Sequence, residues 1–284
     1  RARRELNMQT TLGPVLMAVK GQSSPDTERA YARARELCQQ VGETPQLFPV
    51  LYGLFRFHMV RAELQTTREL AEQLFSLAQR AQDPALLLQA HRAMGQTMFW
   101  LGELAPARAH FEEAIALYDP QKHRSHAFVY GQDPGVACQS FAVMPIWVLG
   151  YPDQALQSIH KALTLAQEFI HPFSLPYALV QAALLHQLRC EVQAAQERAE
   201  EVIAISTEYG FPHWLAYGTI LQGWALSKQG KGAEGITQMR QGLSAYRAVE
   251  GNLQLPYFLA LLAEAYGKVG QPEEGLAVLG EALD

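Results

Sequence analysis

Apolar residues recur three and four positions apart along almost the whole chain, separated mostly by Ala, Gln, Glu and Arg. This spacing places the apolar side chains on one face of an α-helix. No alternating run of β-branched residues bounded by hairpin turns occurs, so no strands are expected. Glycine and proline interrupt the pattern at regular intervals, which predicts an all-α protein of many short helices.

The interruptions have a period. After each turn, small or apolar side chains return at the same offsets, as Ala107, Phe111 and Ala114 do in "GELAPARAHFEEAIALY". The first members of this frame lie at positions 30, 67, 107, 155, 195, 235 and 275, which are 37, 40, 48, 40, 40 and 40 residues apart. The repeating unit is therefore about 40 residues long.

A second helix precedes each helix of the frame. Twelve positions before the frame residue, four of these preceding helices carry a small side chain: Gly95, Ala183, Gly223 and Ala263. Small side chains let two helices approach closely, so each unit is predicted to be a helix hairpin. Such a hairpin cannot bury its apolar face alone, and stacking on its neighbours completes the core.

We therefore predict a right-handed α-solenoid of about seven hairpins that forms one domain over residues 1–284. The predicted hairpins cover residues 4–42, 43–82, 83–130, 131–170, 171–210, 211–250 and 251–284.

The irregular spacing of 48 residues falls at "YDPQKHRSHAFVYGQDPG". The frame places "GQDPG" at the ordinary start of a hairpin, so residues 119–126 form an insertion, predicted on one rim of the solenoid. Insertions of this kind are tolerated and sometimes bind partners. We expect removal of residues 120–127 to leave the fold intact.

The same stretch holds the best candidate metal ligands, His123 and His126. Zinc needs three or four convergent ligands, and two histidines three positions apart on a helix could supply two of them. No cysteine or third histidine lies nearby. A polar loop is therefore favoured over a metal site, and no metal or cofactor is expected.

Asp83 and Asp133 each stand before a proline at the start of a hairpin. An aspartate followed by proline caps the free N–H groups of a helix, and neither residue has an identifiable catalytic partner. Ser174 is available as a cap in "HPFSLP", where His171 is expected to form a structural hydrogen bond. With no GxSxG or HExxH motif, the chain is predicted to be non-catalytic.

The repeat at residues 88–119 resembles a tetratricopeptide repeat. Gly95 stands where that family keeps a small residue, and Ala107, Phe111 and Ala114 follow its small–aromatic–small pattern. The period of about 40 departs from the usual 34, which suggests longer helices. HEAT-type repeats share the length but not this frame.

In a tetratricopeptide superhelix, the first helix of each hairpin lines a concave groove. This resemblance projects a set of residues into the groove that is rich in aromatic side chains with a few Arg, Gln and Glu, and such a set suits a peptide segment or partner helix. The alternative is that many of them are packed between repeats. The predicted groove residues are Tyr52, Arg56, Arg92, Gln96, Phe99, Ser140, Tyr177, Gln187, Trp224, Tyr257 and Glu264.

Over the whole chain, segments such as "GQDPGVACQSF", "LGYPDQAL" and "LPYFLALLAEAYGKVGQPEEGL" resemble the C-terminal helical region of large bacterial proteins. In those proteins a class III adenylate or guanylate cyclase domain and an AAA/STAND-type ATPase precede tetratricopeptide-like repeats. The resemblance implies a regulatory scaffold that binds a protein or peptide segment, including the upstream domains of its own polypeptide. The alternative is a small-molecule sensor arm of the maltose-regulator type that controls an attached ATPase.

The composition of the chain restricts the classes of partner that it is expected to bind. The net charge of −5, with acids and bases interspersed, argues against nucleic acid or an anionic membrane as partner. Cys38, Cys138 and Cys190 are scattered without a metal-ligand or disulfide spacing, which is typical of reduced thiols buried in a cytoplasmic protein. The chain opens inside a helical pattern without a methionine, so we expect a piece of a longer polypeptide.

Overall fold

The computed structural model describes residues 1–42, 44–169 and 171–283. These residues form sixteen α-helices and no strand, which confirms the all-α prediction. The predicted hairpin boundaries at positions 43, 170 and 284 lie outside the described residues. The chain divides into two compact units, Arg1–Ala178 and Leu179–Asp284. The single domain expected from the sequence stays a prediction.

The first unit contains ten helices and the beginning of an eleventh. They are α1 (Ala2–Lys20), α2 (Pro25–Val41), α3 (Leu47–Val60), α4 (Leu64–Ala81), α5 (Pro84–Trp100), α6 (Leu104–Leu117), α7 (Pro120–His123), α8 (His126–Tyr130), α9 (Pro134–Val148), α10 (Pro152–Glu168) and the start of α11 (Ser174–Leu188). Consecutive long helices pack as the hairpins α1–α2, α3–α4, α5–α6 and α9–α10.

The second unit contains the rest of α11 and five further helices. They are α12 (Val192–Tyr209), α13 (Pro212–Lys228), α14 (Gly232–Ala248), α15 (Leu255–Lys268) and α16 (Pro272–Leu283). Here α13 packs against α14 and α15 against α16. Seven pairs of long helices thus follow one another along the chain, as the sequence period predicts, and the fold is a helical-repeat solenoid.

The frame residues are the buried face of the second helix in each hairpin. Ala107, Phe111 and Ala114 are all fully buried. The equivalent side chains of α2, α4, α10 and α12 are also buried. On α16 the burial is incomplete, because Leu279 is 39% exposed. Burial at the period of the repeat confirms that the frame marks the packing face.

Close crossings within hairpins require the small residues. A Cβ placed on Gly223 would lie 2.7 Å from the backbone oxygen of Gly235 on the partner helix. A Cβ on Gly95 would lie 3.0 Å from the Phe111 ring, and one on Gly275 would lie 3.1 Å from the Ala263 oxygen. The sequence-based prediction of close helix approach is confirmed at these positions.

Each later hairpin turns in the same way. The second residue after the first helix has a positive φ, and the N–H of the residue that follows it donates to a carbonyl five residues back at 2.8–3.1 Å. This pairing is the Schellman arrangement that ends a helix. The positive-φ residues, spaced 40, 48, 40, 40 and 40 apart, are Ala62, Gly102, Gly150, Cys190, Gly230 and Gly270.

Cysteine burial differs in part from the prediction. Cys38 and Cys138 are buried, but Cys190 is exposed. Its φ of 58° places it at the turn position that glycine occupies in most other hairpins. A turn at the edge of a hairpin exposes its side chain to solvent, so this thiol is not a core residue.

The insertion forms α7 and leads directly into α8, and it does not stand free at a rim. Helix α8 packs against α1 and α3, while His123 and Ala127 are only 5% and 1% exposed. Arg124 lies over the Phe169 ring at 5.3 Å. The insertion is therefore an integral part of the first unit, and removing residues 120–127 would delete buried packing.

Candidate functional site

The predicted groove residues are mostly inside the protein. Eight of the eleven are buried: Tyr52, Arg56, Arg92, Gln96, Ser140, Tyr177, Gln187 and Trp224. Phe99 and Tyr257 are half-buried, and Glu264 is exposed. Their role in partner binding stays a prediction, and for the buried ones contact with a partner would require their cover to move.

In the first unit, the structure brings together Tyr52, Arg56, Arg92 and Tyr177. The guanidinium of Arg92 lies over the Tyr52 ring, 5.7 Å from its centroid. Burial raises the pKa of Tyr177 to about 12, although the charges of Arg92 and Arg56 act against this rise. Burial also lowers the pKa of Arg56, and repulsion from Arg92 lowers it further. We name these four residues, with Gln22 and Gln132, the arginine cluster.

Gln132 joins the two arginines. Its Oε1 atom accepts a hydrogen bond from Nη1 of Arg56 at 3.0 Å and a second, short one from Nη2 of Arg92. Arg56 also donates through Nη2 to Oε1 of Gln22. Both glutamines are buried, and both lie in turns between helices. Because the repeat frame describes only helix positions, it gives no signal for these two residues.

Helix α8, which begins at the last residue of the insertion, contacts this cluster. The Tyr130 ring contacts the rings of Tyr52 and Phe48, with centroids 5.0 and 6.2 Å away. Gln132 follows two residues later, in the turn before α9. Tyr130 and Gln132 follow closely after the extra residues revealed by the 48-residue spacing, and they supply an aromatic ring and the amide shared by the arginines. The irregular period is the sequence signal that could have pointed to this site.

The other predicted residues of the first unit do not join the arginine cluster through any hydrogen bond. Phe99 stacks edge-on against Trp100 and Phe141, with centroids 5.1 and 5.4 Å away. The Oε1 atom of Gln96 and the Oγ atom of Ser140 are buried and have no hydrogen-bond partner among the described residues. Buried polar atoms without partners are uncommon in folded proteins.

The second unit holds a separate polar group. The Tyr257 hydroxyl donates a short hydrogen bond to Oε1 of Gln187. Lys228 pairs with Glu264 and lies 5.4 Å from the centroid of the Trp224 ring. Burial acts to raise the pKa of Glu264, but the hydrogen bond and charge of Lys228 bring it below its usual value. This group presents a tyrosine and an ion pair near the surface.

The two histidines of the insertion lie side by side and contact neighbouring groups of the protein. Their ring centroids lie 5.2 Å apart. Nδ1 of His123 accepts from the backbone N–H of Asp119 at 3.0 Å, and Nδ1 of His126 lies 3.4 Å from Nε2 of Gln89. In the described part of the chain, no group of three or more His, Cys, Asp or Glu side chains converges as metal ligands would.

The predicted helix caps are confirmed for both aspartates. Asp83 accepts from the N–H of Ala85 at 2.8 Å, and Asp133 from that of Val136 at 2.9 Å. Ser174 plays a different role, because its hydroxyl accepts from the N–H of Asp133 at 2.9 Å and thereby ties two hairpins together. The Ser174 hydroxyl also lies 3.0 Å from Nδ1 of His171. This contact is the structural hydrogen bond expected for His171.

A second histidine pair predicts a pH dependence. Nδ1 of His91 and Nδ1 of His110 are 2.9 Å apart. Burial lowers the pKa of both histidines, and the charge of His91 lowers the pKa of His110 further. The charge of Glu113 acts to raise the pKa of both. The unfolded chain therefore binds more protons, and stability is lost as the pH falls below 6.5. We expect His110→Gln to reduce the fall in the free energy of unfolding between neutral and mildly acidic pH.

Chemical denaturation at several pH values measures this effect. His126 and His171, whose pKa values burial also lowers, should leave a residual slope. His160→Gln provides the control, since His160 is exposed on α10. A pH dependence that is the same in His110→Gln as in the unchanged protein would contradict the assignment to this pair.

No family model matches the chain. An uncharacterized protein, R02095, of Rhizobium meliloti (strain 1021) is 22% identical over 277 residues, which cover 96% of this chain and 27% of that protein. The chain thus spans little more than a quarter of the curated relative it matches. In the described part of the chain, no helix is long and apolar enough to cross a membrane.

Solved structures share the fold. Aspartyl phosphate phosphatase F from Bacillus subtilis superposes with a TM-score of 0.64 at 13% identity, over 99% of this chain and 70% of that one. NprR in complex with its cognate peptide NprX superposes with a TM-score of 0.61 at 12% identity, over 100% of this chain and 78% of that one. The apo form of RapI superposes with a TM-score of 0.54 at 13% identity, over 99% of this chain and 75% of that one. The chain therefore has a tetratricopeptide-like helical-repeat fold.

Proposed function

We propose that this chain is a non-catalytic regulatory region that binds a peptide segment or a partner domain. The observation that carries the proposal is the fold shared over the whole chain with NprR, whose structure contains its cognate peptide. An extended peptide needs side chains that are already ordered and partly accessible. Tyr257 and Glu264, fixed by Gln187 and Lys228, have these properties.

The context we propose is a larger bacterial signalling protein in which cyclase and ATPase domains precede this region. The resemblance of the sequence segments supports it. The first helix also carries an exposed apolar stripe of Met8, Leu12, Val15 and Val19. Contiguous exposed apolar side chains at helical spacing are typical of surfaces that another domain covers. The segment bound would then come from the upstream part of the same polypeptide.

Fluorescence anisotropy with overlapping labelled peptides, tiled across the upstream reading frame, tests this function. We expect one tile to bind saturably and the Glu264→Lys variant to weaken that binding. Glu197→Lys is the matched control, because Glu197 is exposed on α12 and the change in charge is the same. If no tile binds, or both variants weaken binding equally, the proposed peptide site is wrong. A reading frame without a cyclase or ATPase would overturn the context alone.

A specific observation favours a second function, the small-molecule sensor arm. The arginine cluster of the first unit is enclosed and polar, with several donors converging on one amide oxygen. Ligand sites for small molecules place a few convergent polar groups in an enclosed setting. Binding there would stabilise the packing of α3, α5 and the insertion, and could bias an attached ATPase.

A further inference from the structure

The two arginines of the cluster carry positive charge into the interior without an acidic partner. Arg92 is fully buried and Arg56 is 4% exposed. Among the described residues, no carboxylate forms an ion pair with either of them. Buried charges are normally paired, because an isolated one is costly to remove from water. Two guanidinium groups that share one neutral acceptor form an unusual arrangement in a folded protein.

Most of the unused polar atoms of the cluster are donors, and the Tyr52 hydroxyl can act either way. Nε of Arg56, Nε and Nη1 of Arg92, and Nε2 of Gln132 are all buried without a hydrogen-bond partner. The orientation of the Gln132 amide follows from its surroundings, because both guanidinium groups donate to the same atom, which must be the oxygen. Unused donors of both arginines therefore lie in the same buried cluster as the amide. This pattern fits an anion better than the neutral group now present.

The shape of the Gln132 amide indicates which anion fits. A carboxamide and a carboxylate are both planar and have nearly the same size, but the carboxylate offers two acceptor oxygens and a negative charge. Guanidinium groups bind carboxylates through paired, parallel N–H donors. The amide thus stands at a position where a carboxylate could satisfy both arginines.

We propose that the Arg56–Arg92 pair binds the carboxylate of a small organic acid, and that Gln132 holds this place until the ligand enters. This inference rests on the second of the two proposed functions and names its ligand class. Gln132 lies in a short turn between α8 and α9, next to Gly131 with a φ of 79°. A side chain in such a turn can leave the cluster without unwinding a long helix.

Thermal unfolding of the chain with added acetate, succinate or inorganic phosphate tests the proposal, with sodium chloride used to hold the ionic strength constant. A ligand that binds only the folded state raises the midpoint with its concentration. We expect acetate and succinate to raise the unfolding midpoint. In Gln132→Ala, which removes the amide from the site, the midpoint should rise at lower ligand concentrations. In Arg92→Met, the apparent affinity should fall about tenfold or more, because a charged hydrogen bond contributes at least that factor.

Replacing Gln132 with glutamate would supply the carboxylate from the chain itself, and this variant gives a second test of the site. We expect Gln132→Glu to unfold at a higher temperature than the unchanged protein and to lose its response to succinate. Gln40→Glu, exposed on α2, is the matched control and should show neither effect. Circular dichroism would verify that each variant is folded.

Three outcomes would overturn the inference. One is that neither the unchanged protein nor Gln132→Ala responds to carboxylates beyond the effect of chloride. Another is that Gln132→Glu is less stable than the Gln40→Glu control. The third is that phosphate stabilises as strongly as the carboxylates, which would refute the ligand class. A Glu264→Lys variant that has lost peptide binding should still respond to succinate, so failure of the peptide function can be told apart from failure of this site.

Discussion

Replacing Gly223 with leucine is expected to lower the free energy of unfolding by about 3 kcal/mol or more, because overpacking a close contact is among the costly changes in a core. Even a Cβ at this position would lie 2.7 Å from the Gly235 oxygen and 2.8 Å from the backbone nitrogen of Met239. Backbone atoms cannot rotate away as a side chain can. Helices α13 and α14 would have to separate.

The same substitution at Gly280 is the control. Gly280 lies within α16, where an added Cβ would meet nothing within 4 Å. Leucine there should be neutral or stabilising by about 0.5–1 kcal/mol, because glycine is a poor helix former. Thermal and denaturant unfolding of the two variants compare the positions directly. Equal midpoints would contradict the close crossing of α13 and α14.

The repeat was predictable because it is local and periodic. Burial of Ala107, Phe111 and Ala114 follows from a spacing visible in the sequence. The turns were only partly predictable. Glycine marks most of the positive-φ positions, but Ala62 and Cys190 adopt the same conformation, which neither residue signals. At these two turns the packing of the flanking helices overrides the local preference of the residue.

The candidate site was harder to predict for a physical reason. The frame correctly placed Arg56 and Arg92 on first helices, but it gave no sign that the two side chains are buried in one cluster. Their partner Gln132 lies 76 and 40 residues away along the chain. Such contacts depend on how the insertion folds back onto α3, and periodicity carries no information about that path. The sequence marked only where the extra residues lie.

The arginine cluster leads to the second large prediction. In chloride buffer without carboxylates, Gln132→Ala is expected to lower the free energy of unfolding by about 3 kcal/mol, since it leaves two buried guanidinium groups without their shared acceptor. Arg92→Met should be far milder, because a long apolar side chain replaces a buried charge that repels Arg56. Gln40→Ala, at an exposed helix position, should have almost no effect.

A double-mutant cycle separates the charge effect from the loss of packing. If the penalty of Gln132→Ala comes from stranded arginines, it should shrink by about 1–2 kcal/mol when Arg92→Met is already present, as expected for residues in one hydrogen-bonded network. A penalty that comes only from the missing side-chain volume would be the same in both backgrounds. If the changes in the free energy of unfolding for Gln132→Ala and Arg92→Met simply add in denaturant unfolding, Gln132 stabilises the protein only through packing. Strong coupling would establish that the turn after α8 stabilises the first unit chiefly through the oxygen that Gln132 presents to the two arginines.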